Sequence, residues 1–177
     1  MSAIISRCCS YRYRLEREVR STGIVVAFFG VNPSRADASV RDQTDWKWTA
    51  FSHRWGARKY VAGNPFAFRT PYVEDLVAVV DPVGPENDAH LAQIIADADL
   101  LVPCWSDRKK LPHVLRPRLD AVAEMLRVSA KPLMVFGLTK GGDPKHPLML
   151  SYETPLTNWN AEGNRPPIDG DRNTQGK

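Results

Sequence analysis

The sequence predicts an α/β protein, a three-layer sandwich in which helices cover both faces of a mostly parallel central sheet of about four strands. Uninterrupted apolar runs, such as residues 24–31, are typical of strands that are buried on both faces. These runs alternate with stretches whose apolar residues recur at helical spacing, which implies right-handed crossovers between parallel strands. The 177 residues suit one domain. We predict that it spans residues 1–159 and that residues 160–177 form a flexible tail, because Ile168 is the single large apolar residue there.

The composition excludes several classes of protein. Hydrophobic residues make up 43% and charged residues 25% of the chain, as in an ordinary globular protein. No run approaches the ~20 apolar residues of a membrane span, and the N-terminus does not have the order of a signal peptide. The cysteines, Cys8, Cys9 and Cys104, form neither a disulfide framework nor a metal-ligand pattern. We therefore expect a cytoplasmic monomer without metal or cofactor, whose net charge of +4 permits an anionic partner without requiring one.

The predicted elements follow in chain order. Residues 7–20 alternate tyrosine and leucine with charged residues, which predicts an edge strand with one face in water. Asp42 then caps a helix that carries Trp48 on its apolar side. Further helices are predicted from Pro85 and from about Pro117, each with an apolar face. The remaining strands are predicted at residues 24–31, 59–63, 100–102 and 132–136.

Unusual polar residues cluster where these strands end. Ligands of open α/β sheets bind outside the carboxyl ends of the strands, so these loops mark the expected site. After the first buried strand, Asn32 could hold a water, and Ser34 with the following backbone amides could hold an anion. The alternative for this segment is a plain Asx turn. Asp37 and Asp42 could each act as a general base, although Asp42 suits a helix cap better.

Two later loops carry further candidates. Asn64 ends the second buried strand, and its amide can both donate to and accept from the edge of a base, on which Phe66 could stack. The alternative is a turn followed by a core phenylalanine. The loop 137–146 is a glycine-rich, positively charged segment in which His146 could stabilise an oxyanion. Weaker candidates are Cys104, a nucleophile only if a base such as His113 lies beside it, and Trp105, which either covers a pocket or packs.

An ordered set of motifs resembles the bacterial and phage domain-of-unknown-function family 1643. The resemblance covers roughly residues 7–150, and Pro65 and Ser106 depart from it, since the family usually has leucine and glycine there. The motifs that carry the resemblance lie at residues 13–17, 30–37, 42–44, 63–69, 84–88, 137–140 and 144–148.

The layout of these motifs is similar to that of the uracil-DNA glycosylase superfamily, a parallel four-stranded sheet with its active site at the carboxyl edge. Asn32, Asn64 and His146 match its motifs, although Leu148 stands where serine is usual. The resemblance implies an enzyme that hydrolyses the N-glycosidic bond of an altered base in DNA, such as a modified pyrimidine. Asn32 would position the water with help from Asp37, His146 would stabilise the departing base, and Asn64 would read the extruded base.

The same resemblance implies the rest of the site. Phe66 or Phe29 would stack on the base, and Ser34 and Trp105 would complete the substrate site. The residues expected to bind phosphate are Arg35, Arg69, Lys140 and Lys145. Two alternatives stay open: a non-catalytic module that binds nucleic acid or a nucleotide through the same loops, and a small-molecule hydrolase or transferase that uses Asp37, His146 or Cys104.

Overall fold

A computed structural model of the chain describes residues 2–34 and 41–159. Within these ranges lie seven strands and three α-helices, with short 3-10 turns between some of them. The strands are β1 (Ser2–Ile5), β2 (Arg12–Glu18), β3 (Ile24–Phe29), β4 (Ala57–Gly63), β5 (Leu100–Pro103), β6 (Met134–Val135) and β7 (Thr157–Asn158), and the helices are α1 (Gln43–Arg54), α2 (Asn87–Asp97) and α3 (Arg116–Val128). The predicted tail, residues 160–177, lies outside the described residues. None of the helices described has the length and apolar character that a membrane crossing requires.

The central sheet is mixed and has five strands in the order β1-β2-β4-β3-β5. Strand β3 is parallel to both of its neighbours, and Val26 stands opposite Tyr60 on one side and Leu100 on the other. The β1–β2 and β2–β4 pairs are antiparallel. The predicted α/β class is therefore confirmed, while the sheet differs from the predicted four mostly parallel strands. The segment predicted as the fourth strand forms β6, which pairs antiparallel with β7 and is connected to β5 only by a parallel bridge between Leu133 and Leu101.

Helices cover both faces of this sheet, and β3 is therefore buried on both sides. Val25 and Phe29 belong to a core cluster with the apolar faces of α2 and α3. The alternate residue Phe28 belongs to a second cluster, in which Trp48 of α1 stacks on it with ring centroids 5.2 Å apart. The uninterrupted apolar run therefore predicted this strand correctly, since successive side chains enter opposite cores.

The prediction for β2 was wrong in two respects. It is not at the edge of the sheet, because β1 pairs with its outer side. Its arginines do not face water: Arg12, Arg14 and Arg17 are only 4%, 8% and 2% exposed. Arg14, for example, donates to Glu16 at 2.6 Å and to Asp97 at 2.7 Å. Acidic side chains on other elements, such as Asp97, pair with these arginines and make their burial possible. An alternation of tyrosine with arginine in the sequence does not reveal those distant partners.

One fully buried carboxylate, that of Asp45, joins three elements. Its oxygens accept from Arg17 Nε on β2 at 3.0 Å and from Arg41 at 3.0 and 3.1 Å. The Tyr60 hydroxyl of β4 donates a further short hydrogen bond. Burial alone would raise the pKa of Asp45, but the hydrogen bonds from Arg41 and Tyr60 and the charge of Arg17 outweigh it, so the pKa lies below its usual value. The ionised carboxylate therefore fastens β2 and β4 to the first turn of α1.

Replacing this carboxylate is expected to destabilise the fold strongly. Asp45→Asn leaves the buried Arg17 without its charge partner, and breaking a buried pair in this way costs about 3–5 kcal/mol. Urea unfolding followed by circular dichroism measures the difference. The control is Glu124→Gln on the exposed face of α3, which loses a surface ion pair with Arg127 and should leave the unfolding free energy nearly unchanged. An Asp45→Asn protein as stable as the control would contradict this role.

Candidate functional site

A polar pocket lies at the carboxyl ends of β3 and β4. The chain leaves β3 through Gly30 and leaves β4 at Asn64, and the last loop brings His146 to the same place. The pocket holds about 440 Å³ of space, part of it open to solvent. Its lining residues are Arg12, Leu15, Gly30, Val31, Asn32, Ser34, Asp42, Thr44, Asp45, Trp48, Asn64 and His146.

The side-chain amide of Asn64 is available to a ligand. The residue is 3% exposed, yet no hydrogen bond joins its side chain to any part of the chain that the structure describes. Its position is fixed by its backbone, because the buried Asn87 donates to the carbonyls of Asn64 at 3.0 Å and of Pro65 at 3.1 Å. A Cβ at Gly30 would lie 3.0 Å from Asn64 Nδ2, so glycine leaves room for the amide. The amide can therefore donate and accept inside the pocket.

Asn32 presents an acceptor to the pocket. Its Nδ2 donates to the carbonyl oxygens of Thr70 at 2.6 Å and of Pro33 at 3.4 Å, which orients the amide. Its Oδ1 has no hydrogen bond within residues 2–34 and 41–159. Since Phe66 N–H also donates to the Val31 carbonyl at 3.1 Å, the loops after β3 and β4 form one connected rim. An oriented acceptor of this kind can bind and align a water.

His146 is a neutral hydrogen-bond donor. Its Nδ1 accepts from the Leu148 N–H at 3.2 Å, so the proton of the neutral ring is on Nε2. Burial lowers the pKa of His146 to about 4; the charge of Asp42 opposes this shift and that of Lys110 adds to it. At neutral pH the ring is therefore uncharged and can donate from Nε2 without carrying a positive charge.

Asp42 is engaged on both oxygens. Its Oδ1 accepts from the Asp45 N–H at 2.8 Å, which confirms the predicted helix cap. Its Oδ2 accepts a short hydrogen bond from the Ser34 hydroxyl. The general-base alternative for Asp42 loses support, because both oxygens already have partners. Asp37, the other candidate base, and Arg35 lie outside the described residues.

The aromatic candidates do not line the polar pocket. Phe29 and Phe66 are fully buried in the core and leave no ring face for a ligand in this conformation. Trp105 lines a second, apolar cavity of about 500 Å³ that shares Val31 with the polar pocket, and its ring meets Trp159 edge-on with centroids 5.6 Å apart. For the two phenylalanines, the structure favours the alternative of core packing.

The remaining candidate cations differ in their surroundings. Arg69 is half-buried and donates to the Cys9 carbonyl at 3.3 Å, while Lys140 and Lys145 are exposed on the last loop. This loop is anchored rather than free, because the buried Asp143 accepts from Arg108 Nε at 2.8 Å and from its N–H at 2.9 Å. Nothing in the sequence distinguishes Asp143 from a solvent-exposed loop aspartate.

Sequence reasoning also missed Arg12, which enters the pocket from β2. Burial lowers the pKa of Arg12 to about 10, against an opposing effect of Asp42, so the guanidinium is still charged at neutral pH. Arg12 lies in a segment that alternates tyrosine with arginine, and this pattern predicts a solvent-exposed arginine rather than a buried one in a pocket. The pocket therefore combines the charged groups Arg12, Asp42 and Asp45 with neutral hydrogen-bonding groups.

A nucleophilic role for Cys104 loses support. Cys104 is fully buried and burial raises its pKa to about 12, so it is a protonated thiol rather than a nucleophile, while His113 is exposed. Among the residues described, no group of three or more His, Cys, Asp or Glu side chains could hold a metal ion.

The protonation of His146 can be measured directly. We expect the ring to titrate with a midpoint of about 4, because burial disfavours the imidazolium, and its neutral form to carry the proton on Nε2. Nitrogen-detected NMR of histidine-labelled protein between pH 2.5 and 8 reports both properties, and a His146→Gln variant assigns the signal. A midpoint near the ordinary 6.5 or a protonated Nδ1 would contradict the assignment.

One comparison with known proteins confirms the resemblance to the domain-of-unknown-function family 1643. No curated protein and no solved structure shows significant similarity to the chain. The family described as "Protein of unknown function (DUF1643)" matches residues 12–148, which include every element that lines the polar pocket. The chain belongs to this family, DUF1643.

Proposed function

We propose that the protein is a DNA glycosylase-like enzyme that hydrolyses the N-glycosidic bond of an altered base. One observation carries the proposal: three groups that the reaction needs line a single pocket. They are the amide of Asn64, the acceptor oxygen of Asn32 and the neutral imidazole of His146. The sheet supports the glycosylase-like layout, since β4, β3, β5 and the segment bridged through Leu133 are neighbouring parallel segments with the pocket at their carboxyl edge.

In this reaction the oxygen of a water bonds to the sugar carbon as the bond from that carbon to the base nitrogen breaks. The electron pair of the broken bond leaves with the base, so negative charge develops on it. His146 Nε2–H donates a hydrogen bond to this charge, and a preorganised donor of this kind is worth about 2.7–4 kcal/mol. Because the ring is neutral, it stabilises the anion through this hydrogen bond and keeps its own proton. One proton of the attacking water stays on the new hydroxyl of the sugar, and the other goes to solvent. The departing base takes up a proton from solvent.

The other groups bind and orient. Asn32 Oδ1 accepts a hydrogen bond from the water, and the donation from Asn32 Nδ2 to the Thr70 carbonyl aligns the amide. Asn64 reads the edge of the extruded base, whose apolar contacts come from Leu15, Val31 and Trp48 rather than from the phenylalanines. Extrusion of a base costs a few kcal/mol, which pocket contacts offset.

Phosphates of the strand would lie at the rim. Lys145, Lys140 and Arg69 belong to loops at the carboxyl edge of the sheet, and Arg35 belongs to the same predicted set. Their charge permits long-range attraction of DNA although the net charge is only +4. A non-catalytic nucleic-acid module would use the same rim, and it differs from an enzyme only in the absence of turnover.

Turnover is expected on a duplex that carries the right altered base. Incubation with a panel of such duplexes, followed by alkaline cleavage, detects abasic sites. His146→Ala should lower the rate about 10²–10³-fold, because a donor to the developing anion is lost. The control is His53→Ala at the exposed far end of α1, which should act like the wild type. No abasic site from any duplex, or a His146→Ala variant at full rate, would refute the enzyme, and intact binding without turnover would favour the non-catalytic module.

DNA binding should weaken steeply with salt. Each phosphate contact releases a counterion, so the logarithm of the affinity should fall linearly with the logarithm of salt concentration. Lys145→Gln should reduce this slope by about 1, as expected for one lost contact. Arg58→Gln, an exposed charge at the opposite end of β4, is the matched control and should leave the slope unchanged. A DNA affinity that does not change with salt would contradict the proposed binding of phosphates by these basic residues.

A further inference from the structure

Trp46, in the first turn of α1, is unusually placed for a tryptophan. It is 57% exposed, whereas Trp48 and Trp105 are buried and Trp55 and Trp159 are half-buried. Exposure of so large an apolar ring forgoes the free energy that burial would provide. An exposed tryptophan beside a ligand pocket is therefore a candidate contact surface.

One face of this ring is covered by a cation. The guanidinium carbon of Arg41 lies 3.6 Å from the ring centroid. Arg41 is itself fixed, because it donates to the fully buried Asp45 at 3.0 and 3.1 Å and makes a short hydrogen bond to Thr49. No other ring or cation lies against Trp46 in the described part of the chain. Within the described residues the ring is thus supported by a cation from one side only, and it is largely exposed, so stacking on it requires little further ordering.

The position of the ring links it to the polar pocket. Trp46 directly follows Thr44 and Asp45, which line that pocket, and the start of α1 lies at the same edge of the sheet as Asn64 and His146. A base stacked on the other face of the ring would lie across it from the Arg41 guanidinium, which is held by Asp45. Aromatic rings combined with cations are the usual means of holding single-stranded nucleic acid, since every base has a face that can stack.

We infer that Trp46, supported by Arg41, is a stacking site for an unpaired base of the strand whose altered base occupies the polar pocket. The inference rests on the proposed function and narrows its substrate class to a polynucleotide, in which a base beside the target unpairs to stack on Trp46, as opposed to a free nucleoside. Trp46 is a binding residue in this account and takes no part in the bond cleavage.

The test uses fluorescence anisotropy with fluorescein-labelled oligothymidylate of twelve nucleotides, titrated with the full chain at several salt concentrations. Trp46→Leu should lower the affinity roughly 5- to 150-fold, the effect of losing one stacked base. The slope against salt should stay the same, because no charge is removed. Trp46→Phe, which retains a ring, should recover most of the affinity.

Tyr152→Leu is the matched control. Tyr152 is another exposed aromatic ring beside a cation, with Lys47 Nζ 3.9 Å from its centroid, and its ring packs on Phe51 of α1 with centroids 5.5 Å apart. It should bind the oligonucleotide as the wild type does. Equal affinity of wild type and Trp46→Leu, or a changed salt slope in Trp46→Leu, overturns the stacking site and leaves the proposed function standing. If the wild type binds no strand even at low salt, both the stacking site and the proposed function are overturned.

Discussion

The carboxylate of Asp45 lies where β2, β4 and α1 meet, and much of the structure depends on its being ionised there. A lone buried carboxylate would take up a proton, so its charge persists only because Arg17, Arg41 and Tyr60 donate to it. Arg17 belongs to β2 and Tyr60 to β4, so their hydrogen bonds to Asp45 fix these two strands against the first turn of α1. Arg12 enters the pocket from the strand that Arg17 holds, and Arg41 in turn supports the Trp46 ring.

This constraint determines how the pocket is built. Because both oxygens of Asp42 and of Asp45 already accept structural hydrogen bonds, the neutral groups Asn32, Asn64 and His146 are the ones that can bind a ligand in this pocket. An amide such as that of Asn64, which has no partner in the described residues, lowers the stability of the folded state. Such a cost is typical of a position that is kept for binding.

Much of this arrangement could be predicted from the sequence, and the reasons for the exceptions are physical. Hydrophobic runs predicted the parallel strands, the Asp42 cap predicted the start of α1, and strand ends predicted Asn64 and His146 as neighbours. The burial of Arg14 and Arg17 could not be predicted, because their acidic partners Asp97 and Asp45 are distant in sequence. The anchoring role of Asp143 was hidden for the same reason. Phe29 and Phe66 were predicted to stack on a ligand because they are aromatic and lie near strand ends. Both rings are instead buried in the hydrophobic core.

The central claim is that the polar pocket receives an extruded base. A crystal structure of the protein with a short DNA carrying a non-hydrolysable nucleotide analogue tests it most directly. The account predicts the base inside the pocket, its edge within hydrogen-bond distance of the Asn64 amide and of His146 Nε2, and a water on Asn32 Oδ1. A base that stays stacked in the duplex, or a ligand bound away from Asn64 and His146, would contradict it.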